Sequence, residues 1–307
     1  MIHGLILGGL GNQLFKVFAT IAYSIEHSQP FVFFYSKTVN GRTTYWETFL
    51  HNLKKYTIDS MNLSQFIPIG TCMHNYDPLP PAESNKNYSL QYYLQSHKYF
   101  EKHEKEIYKL IGWEQQRELV KTKYSHYFAE ESVELKMNFI SIHFRFGDYK
   151  QIQYCHNLLN LDYYKAAIEK VCSIFHASIH IFGGGIAGTK NEFFETNCRK
   201  IDPPSLTFIY FYEKEDESMV NNIIDSLRDT TGMKFIPVDT NIPDWEQMLL
   251  MSCCHSNIIA NSTFSWWGAY SNPHQEKVVC YPATWFGPSL AHNIMEDMFP
   301  KSWHKIG

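Results

Sequence analysis

A histidine and an arginine stand two residues apart in His143-Phe144-Arg145-Phe146-Gly147-Asp148-Tyr149, directly after the apolar run Phe139-Ile140-Ser141-Ile142. That run has the character of a buried strand, and successive side chains along a strand point to opposite faces. His143 and Arg145 are therefore presented to one side, Phe144 and Phe146 to the other. Gly147-Asp148 then turns the chain. In open α/β sheets, the carboxyl ends of the strands are where ligands bind. An arginine there suits an anion, a phosphate above all, through its planar fork of donors. The same residues also read as an Arg145–Asp148 surface pair that fastens a loop.

Two other stretches carry related chemistry. Gly8-Gly9-Leu10-Gly11-Asn12-Gln13 permits a tight strand-to-helix turn, and the helix start beyond it offers N–H groups to a polar or anionic ligand. It is not a Walker A loop, because no Gly-Lys-Ser/Thr follows, and it lacks the Rossmann glycine spacing. The third stretch is Ile258-Ile259-Ala260-Asn261-Ser262-Thr263-Phe264-Ser265-Trp266-Trp267-Gly268-Ala269. An apolar strand runs into hydroxyl-bearing residues and then into an aromatic helix. Ser262, Thr263 and Ser265 at that helix start make a metal-free diphosphate cradle, or an ordinary N-cap ahead of core tryptophans. For Trp266 and Trp267 the core reading is preferred. Asn261-Ser262-Thr263 is also a formal glycosylation sequon, set aside here.

The elements that hold these stretches follow from hydrophobic spacing. Ile2–Leu7 reads as a strand, Leu14, Val17, Phe18, Ile21, Ala22 and Ile25 as one helix face, and Phe31–Tyr35 as a second strand, together one βαβ unit. Asp77–Asn87 is turn-rich, and a helical region over 99–127 follows it. Strands are predicted near 139–145, 178–183, 206–212, 234–238, 257–261 and 277–281. Helices are predicted near 162–175, 190–199, 216–229, 243–254 and 265–271. The alternation calls for doubly wound parallel sheets, and 307 residues suffice for two domains. The division is placed at 134/135, giving 1–134 and 135–307, with the ligand in the cleft between them.

Composition narrows the function. A net charge of −4 gives no basic footprint for nucleic acid. Seven cysteines, an odd number without a C-x-x-C pair, argue against a zinc ribbon or a disulfide scaffold and for reduced thiols. A vicinal redox pair at Cys253-Cys254 is improbable. The aromatic share of 16% fits either a tyrosine-rich core or a stacking surface for sugars or bases. The first residues are neither a signal peptide nor a membrane span, and no stretch reaches about 18 apolar residues. A soluble protein of a reducing compartment is expected, cytoplasmic or peripheral at a membrane.

Together and in this order, the three stretches resemble glycosyltransferase family 11, the α-1,2-fucosyltransferases. Further echoes are Gln95-Ser96-His97-Lys98-Tyr99-Phe100, Asp162-Tyr163-Tyr164, Leu250-Met251-Ser252 and Pro282-Ala283-Thr284-Trp285-Phe286. The resemblance implies the GT-B arrangement of two Rossmann-like domains facing a cleft. It implies an inverting transfer without metal or cofactor, with a nucleotide-sugar donor and a glycan acceptor as partners. It implies that Arg145 neutralises the β-phosphate of the leaving nucleotide and that His143 lies near the base. Ser262, Thr263 and Ser265 would hold the diphosphate, while Gly9, Gly11 and Asn12 would close over the donor. Bacterial or viral members are the nearer match, rather than Golgi-anchored ones.

Two positions depart from the family pattern. Many members end a strand in Phe-Ser-Asp-Asp where this chain has Phe182-Gly183-Gly184-Gly185, and Gln247 stands where an acid is common, with Glu246 beside it. A carboxylate accepts two guanine N–H groups at once, whereas an amide has one acceptor oxygen. The donor is expected to be GDP-fucose, read by Glu246. A UDP- or dTDP-linked 6-deoxy-L-sugar such as rhamnose is the alternative. Asp148 is placed with the nucleotide-sugar site, either as the general base or as the partner of Arg145. His3, Glu47 and His51 lie in the acceptor half. A non-catalytic nucleotide-sugar or glycan-binding protein is the rival class, and a serine hydrolase is disfavoured by the lack of a Gly-x-Ser-x-Gly elbow.

Overall fold

The computed structural model describes residues 1–71, 75–129, 138–182 and 206–307. The chain forms two α/β units, Met1–Val120 with Ser289–Ser302, and Lys121–Pro288 with Trp303–Gly307. The sequence-based division at 134/135 contains no returning segment. In the structure, residues 289–302 return to the first unit because Asp297 is held there. Its carbonyl accepts from Ser96 Oγ at 2.5 Å, its N–H donates to Asn75 Oδ1 at 3.0 Å, and its carboxylate pairs with Lys98.

The first unit contains β1 (Ile2–Gly4), α1 (Leu10–Glu26), β2 (Phe31–Phe34), β3 (Thr38–Val39), β4 (Arg42–Thr43), β5 (Thr57–Ile58), β6 (Phe66–Ile69) and β7 (Asn87–Leu90). The main sheet runs β5-β2-β1-β7-β6, every pair parallel, while β3 and β4 form a hairpin closed by Asn40-Gly41, both left-handed. Going out from β1, the chain first builds towards β5 and later returns on the other side through β6 and β7. The reversal lies between β1 and β7. The predicted helix over 99–127 is two helices, α2 (Glu104–Ile111) and α3 (Trp113–Lys123), parted at Gly112 with φ 75°.

The second unit contains β8 (Asn138–His143), α4 (Leu161–Phe182), β9 (Leu206–Phe211), α5 (Glu217–Thr231), β10 (Lys234–Pro237), α6 (Asp244–Ser252), β11 (Ser256–Ile258), α7 (Thr263–Tyr270), β12 (Val279–Pro282) and β13 (His304–Ile306). Its sheet is wholly parallel in the order β10-β9-β8-β11-β12-β13. Counted within the unit this is 3-2-1-4-5-6, the Rossmann order, with the reversal between β8 and β11. Strands buried on both faces need continuous apolar runs, and Leu206–Phe211 is buried at every position. Ile140, Ile142, Phe208, Ile258 and Cys280 form the sheet side of the core, and Ile168, Val171, Ile224 and Leu227 the helix side.

One predicted strand is corrected. Residues 178–182 continue α4 rather than forming a strand. A short apolar run is compatible with either element, and here it prolongs the preceding helical spacing. Gly183–Gly185 and the helix predicted near 190–199 lie outside the described residues. The strand beside β8 is β9.

Close helix contact fixes the position of α7. A Cβ on Gly268 would lie 2.8 Å from Met251 Cβ and 3.0 Å from its Sδ, so α7 rests on α6 only because residue 268 has no side chain. Gly268→Ala should destabilise the protein by about 1–3 kcal/mol through overpacking, read as a lower denaturant midpoint at unchanged slope.

Candidate functional site

Parallel pairing sends the ends of β8, β9 and β11 to one edge of the second sheet. The β8 end carries His143 and Arg145, the β9 end leads into Glu213, and the β11 end leads into Ser262 and α7. The alternation expected of 143–146 is present. Phe144 and Phe146 are buried in the core, while Arg145 keeps a 15% exposed side chain at the edge. His143 is buried as well, its ring 5.4 Å from that of Phe264.

Two contacts join the Arg145 loop to the serine turn. The guanidinium of Arg145 lies over the Tyr149 ring at 5.0 Å, and Tyr149 Oη donates to the carbonyl of Asn261 at 3.2 Å. The Tyr149 ring in turn stacks on His156 at 4.4 Å. Asn261 is a structural anchor, donating from Nδ2 to the carbonyls of Asn157 at 2.9 Å and Trp285 at 3.0 Å. Ser262 caps α7, its Oγ accepting from the N–H of Phe264 at 3.3 Å. Thr263 opens the helix, partly exposed. Ser265 is fully buried and donates back to the carbonyls of Ser262 at 3.3 Å and Ala260 at 3.4 Å. Its hydroxyl therefore holds the turn rather than facing outward. Trp266 and Trp267 are fully buried, as the core reading expects.

The charges around Arg145 include residues that sequence reasoning missed. Arg145 Nη1 donates to Glu213, and Nη2 donates to Asp148 Oδ1 at 2.5 Å. Asp216, wholly buried, accepts from the N–H groups of Gly147 at 2.8 Å and Phe146 at 3.3 Å, and pairs with Lys150 at 2.6 Å. Gly147 has φ 30°, and a Cβ there would stand 3.0 Å from Arg145 Nη1 and collide with Glu213. The readable signal was the acidic run Glu213-Lys214-Glu215-Asp216 after the apolar run Leu206–Phe211.

Burial opposes the charge on Arg145, but Glu213 and Asp148 outweigh it and hold the guanidinium above its ordinary pKa. Burial pushes the Glu213 carboxyl up despite the opposing pull of Arg145. Two cations, Arg145 and Lys150, face three carboxylates, Asp148, Glu213 and Asp216. An anionic ligand that engages Arg145 must therefore displace or neutralise a carboxylate, and Asp148 and Glu213 are both half-exposed.

The remaining predicted residues are placed elsewhere in their units. Glu246, in the first turn of α6, accepts from Lys123 Nζ at 2.8 and 3.0 Å and from Tyr124 Oη. Gln247 donates to the carbonyl of Ile242 at 2.7 Å. In the first unit, Gly8 takes φ 71° and Gly9 is the N-cap of α1 with open space where a Cβ would be. The positive-φ requirement in that loop thus falls on Gly8. Gly11 is buried in the first turn of α1, and Asn12 Oδ1 accepts from Gln95 Nε2 at 2.8 Å. His3 is buried with Nδ1 2.9 Å from Ser89 Oγ. Glu47 is tied to Tyr35 and Lys54, and His51 Nδ1 lies 2.8 Å from the carbonyl of Thr48.

Each unit is built on a parallel sheet with a reversal of strand order, and in the second unit a strand-end arginine stands at that reversal. Residues 226–307 match Glycosyl transferase family 11. The Escherichia coli O-antigen biosynthesis glycosyltransferase WbnK is 28% identical over 164 residues, 52% of this chain and 43% of WbnK. An Escherichia coli alpha-1,2-colitosyltransferase is 36% identical over 74 residues, 24% of each chain. The matched region is thus less than half the length of either curated relative. Among solved structures, fucosyltransferase NodZ from Bradyrhizobium superposes with a TM-score of 0.42 at 11% identity, covering 87% of this chain and 91% of NodZ. A mutant of Arabidopsis thaliana FUT1 in complex with GDP gives a TM-score of 0.47 at 11% identity, covering 99% of this chain and 75% of FUT1. The last 82 residues of the chain are thus similar to glycosyl transferase family 11.

His143 links the site to pH. Burial, with Arg145 adding to it, depresses its pKa to about 3 from the ordinary 6.5. The folded protein keeps the ring neutral while the unfolded chain protonates it, so stability is full above about pH 6.5 and is lost as pH falls towards 3. His143→Gln should flatten that acid slope in denaturant titrations at stepped pH, relative to the wild-type chain.

Proposed function

We propose that the protein is an inverting glycosyltransferase that moves a 6-deoxy-L-sugar, L-fucose from GDP-fucose in the first instance, to a glycan hydroxyl. The observation that carries this reading is the convergence of Arg145 with the Ser262-capped start of α7 at the reversal point between β8 and β11, tied together by Tyr149. The match of residues 226–307 to Glycosyl transferase family 11 supports it.

In the proposed reaction the diphosphate exchanges for Glu213 on Arg145. The oxygen of an acceptor hydroxyl attacks the anomeric carbon from the face opposite the diphosphate, its proton passes to water, and the bond from that carbon to the phosphate oxygen breaks. The electron pair leaves with the nucleoside diphosphate. Charge grows on the departing oxygen, and Arg145 with the α7 N-terminus stabilises it. Such preorganised donors are typically worth about 3–4 kcal/mol each. Because the guanidinium supplies the positive charge, the proposed reaction needs no bound cation. Asp148 stays on the arginine as its orienting partner.

A second donor reading keeps its place on a specific observation. Gln247 is spent on the carbonyl of Ile242, and both oxygens of Glu246 are engaged by Lys123 and Tyr124. A carboxylate so engaged reads guanine only after rearrangement, which leaves a UDP- or dTDP-linked 6-deoxy-L-sugar as the rival donor.

Arg145→Ala should lower turnover at least about a hundredfold, the scale of one lost charge-stabilising donor, with lysine restoring only part. The assay is run in excess EDTA, where the wild-type enzyme should stay active. Alanine-variant turnover near the wild-type rate, or an absolute requirement for added magnesium, would defeat the reading.

Calorimetry with GDP, UDP and dTDP decides the donor. GDP is expected to bind tightest, and Glu246→Gln to weaken it by about 1.5–3 kcal/mol, the scale of a hydrogen bond to a charged group. Tight UDP or dTDP binding without GDP binding would transfer the proposal to the rival donor.

A further inference from the structure

The reversal point of the first sheet lies between β1 and β7, and the loop leaving β7 is unusual. Tyr92 has φ 58° and Leu94 φ 52°, both in the left-handed region that side chains other than glycine and asparagine rarely adopt. Two such residues within three positions are strained, and they persist only where the surroundings over-determine the backbone. The surroundings here do so. Lys16 is fully buried in α1 and donates from Nζ to the carbonyls of Leu90 at 3.0 Å and Gln91 at 2.9 Å. Burial lowers its pKa to about 7, so the lysine is itself a costly fixture. Gly70, with φ 106°, lets its backbone approach the Gln91 carbonyl, which a Cβ would meet at 3.0 Å. Gln91 Nε2 donates to Ser89 Oγ at 2.8 Å, and Leu94 is pinned in the core beside Ile69 and Leu90. Gln95 Nε2 ties the end of the loop to Asn12, in the first turn of α1.

The product of this bracing is a pair of exposed tyrosines, consecutive in the chain. Tyr92 is 47% exposed and Tyr93 39% exposed. Among the described residues neither ring has a hydrogen-bond, aromatic or charged partner. Both sit just beyond the carboxyl end of β7, at the edge and at the reversal where open parallel sheets receive ligands.

We propose that Tyr92 and Tyr93 form the stacking platform for the acceptor sugar, a role that rests on the transferase reading above. A pyranose has a ring face of C–H groups that packs on an aromatic ring, and its hydroxyls stay wetted at the rim. Tyrosine suits this because it offers a large rigid apolar area with a polar tip. The braced backbone holds the rings in place before the sugar arrives, so little ordering remains for binding to oppose. Lys16 is then a positioning residue, acting on the platform through the two carbonyls that it holds.

The test uses the full chain and methyl β-D-galactopyranoside, whose ring presents an uninterrupted C–H patch on one face. Wild-type protein should give saturation transfer to the ring protons of that sugar. Tyr92→Ala and Tyr93→Ala should each lose most of it and raise the acceptor KM about tenfold, the scale of an aromatic contact, while Phe variants retain both. Tyr92→Gly separates fold from platform: glycine takes φ 58° without strain, so its thermal midpoint should hold or rise while sugar contact is lost. GDP affinity, followed in parallel, should stay within about twofold in every variant, since the proposal gives these rings no nucleotide contact. Saturation transfer lost in the alanine variants from a wild-type protein that does not turn over would keep the platform and sink the transferase reading. No saturation transfer in the wild type, an unchanged acceptor KM in both alanine variants, or GDP affinity falling alongside would overturn the platform itself.

Discussion

Parallel pairing of β8 with β9 on one side and β11 on the other is the constraint on which the site depends. A parallel sheet gathers all its carboxyl ends at one edge, and the reversal of strand order opens the space between two of the loops there. Arg145, Glu213 and Ser262 come from chain positions far apart, yet each follows a neighbouring strand of that edge. Tyr149 completes the connection by touching Arg145 with its ring and Asn261 with its hydroxyl.

The electrostatics of that edge explain how an arginine can wait there. A largely buried guanidinium without a partner is unfavourable. Glu213 and Asp148 hold it, but in different ways. Asp148 lies three residues along the same turn, so its pairing is local, while Glu213 is brought in by the neighbouring strand. Asp216 makes neither contact. It binds the N–H groups of Phe146 and Gly147 and thereby shapes the turn that aims Arg145, with Lys150 balancing its charge.

The first unit solves the corresponding problem with the opposite charge. There the loop beyond β7 is fixed through its carbonyls by buried Lys16, as the loop beyond β8 is fixed through its N–H groups by buried Asp216. In each case a buried polar side chain replaces the regular ladder where the strand stops. Backbone groups at a strand end have no neighbouring strand to satisfy them, and a buried one left unpaired is destabilising. A buried side chain that binds two such groups at once holds the loop in a single conformation.

Much of this was legible before any coordinates. The apolar runs at 139–142, 206–211 and 257–260 are continuous because buried parallel strands need side chains on both faces, and the structure has strands at each. His143, Arg145 and the Ser262 turn were visible because they follow such runs directly. The short strands β5, β6, β7 and β13 were missed, since two to four residues carry too little periodicity to separate a strand from a loop. The strand at 178–183 was misassigned for the converse reason: a brief apolar run does not say whether it continues a helix. Glu213 and Asp216 carry no local signal of their role, which depends on β9 standing next to β8. Local sequence specifies which residues can form an element and what chemistry they bear. Strand order, the pairing of Arg145 with Glu213, and the burial of Lys16 and Asp216 arise only when distant segments pack, because a charge acquires its partner from the neighbour that the fold supplies.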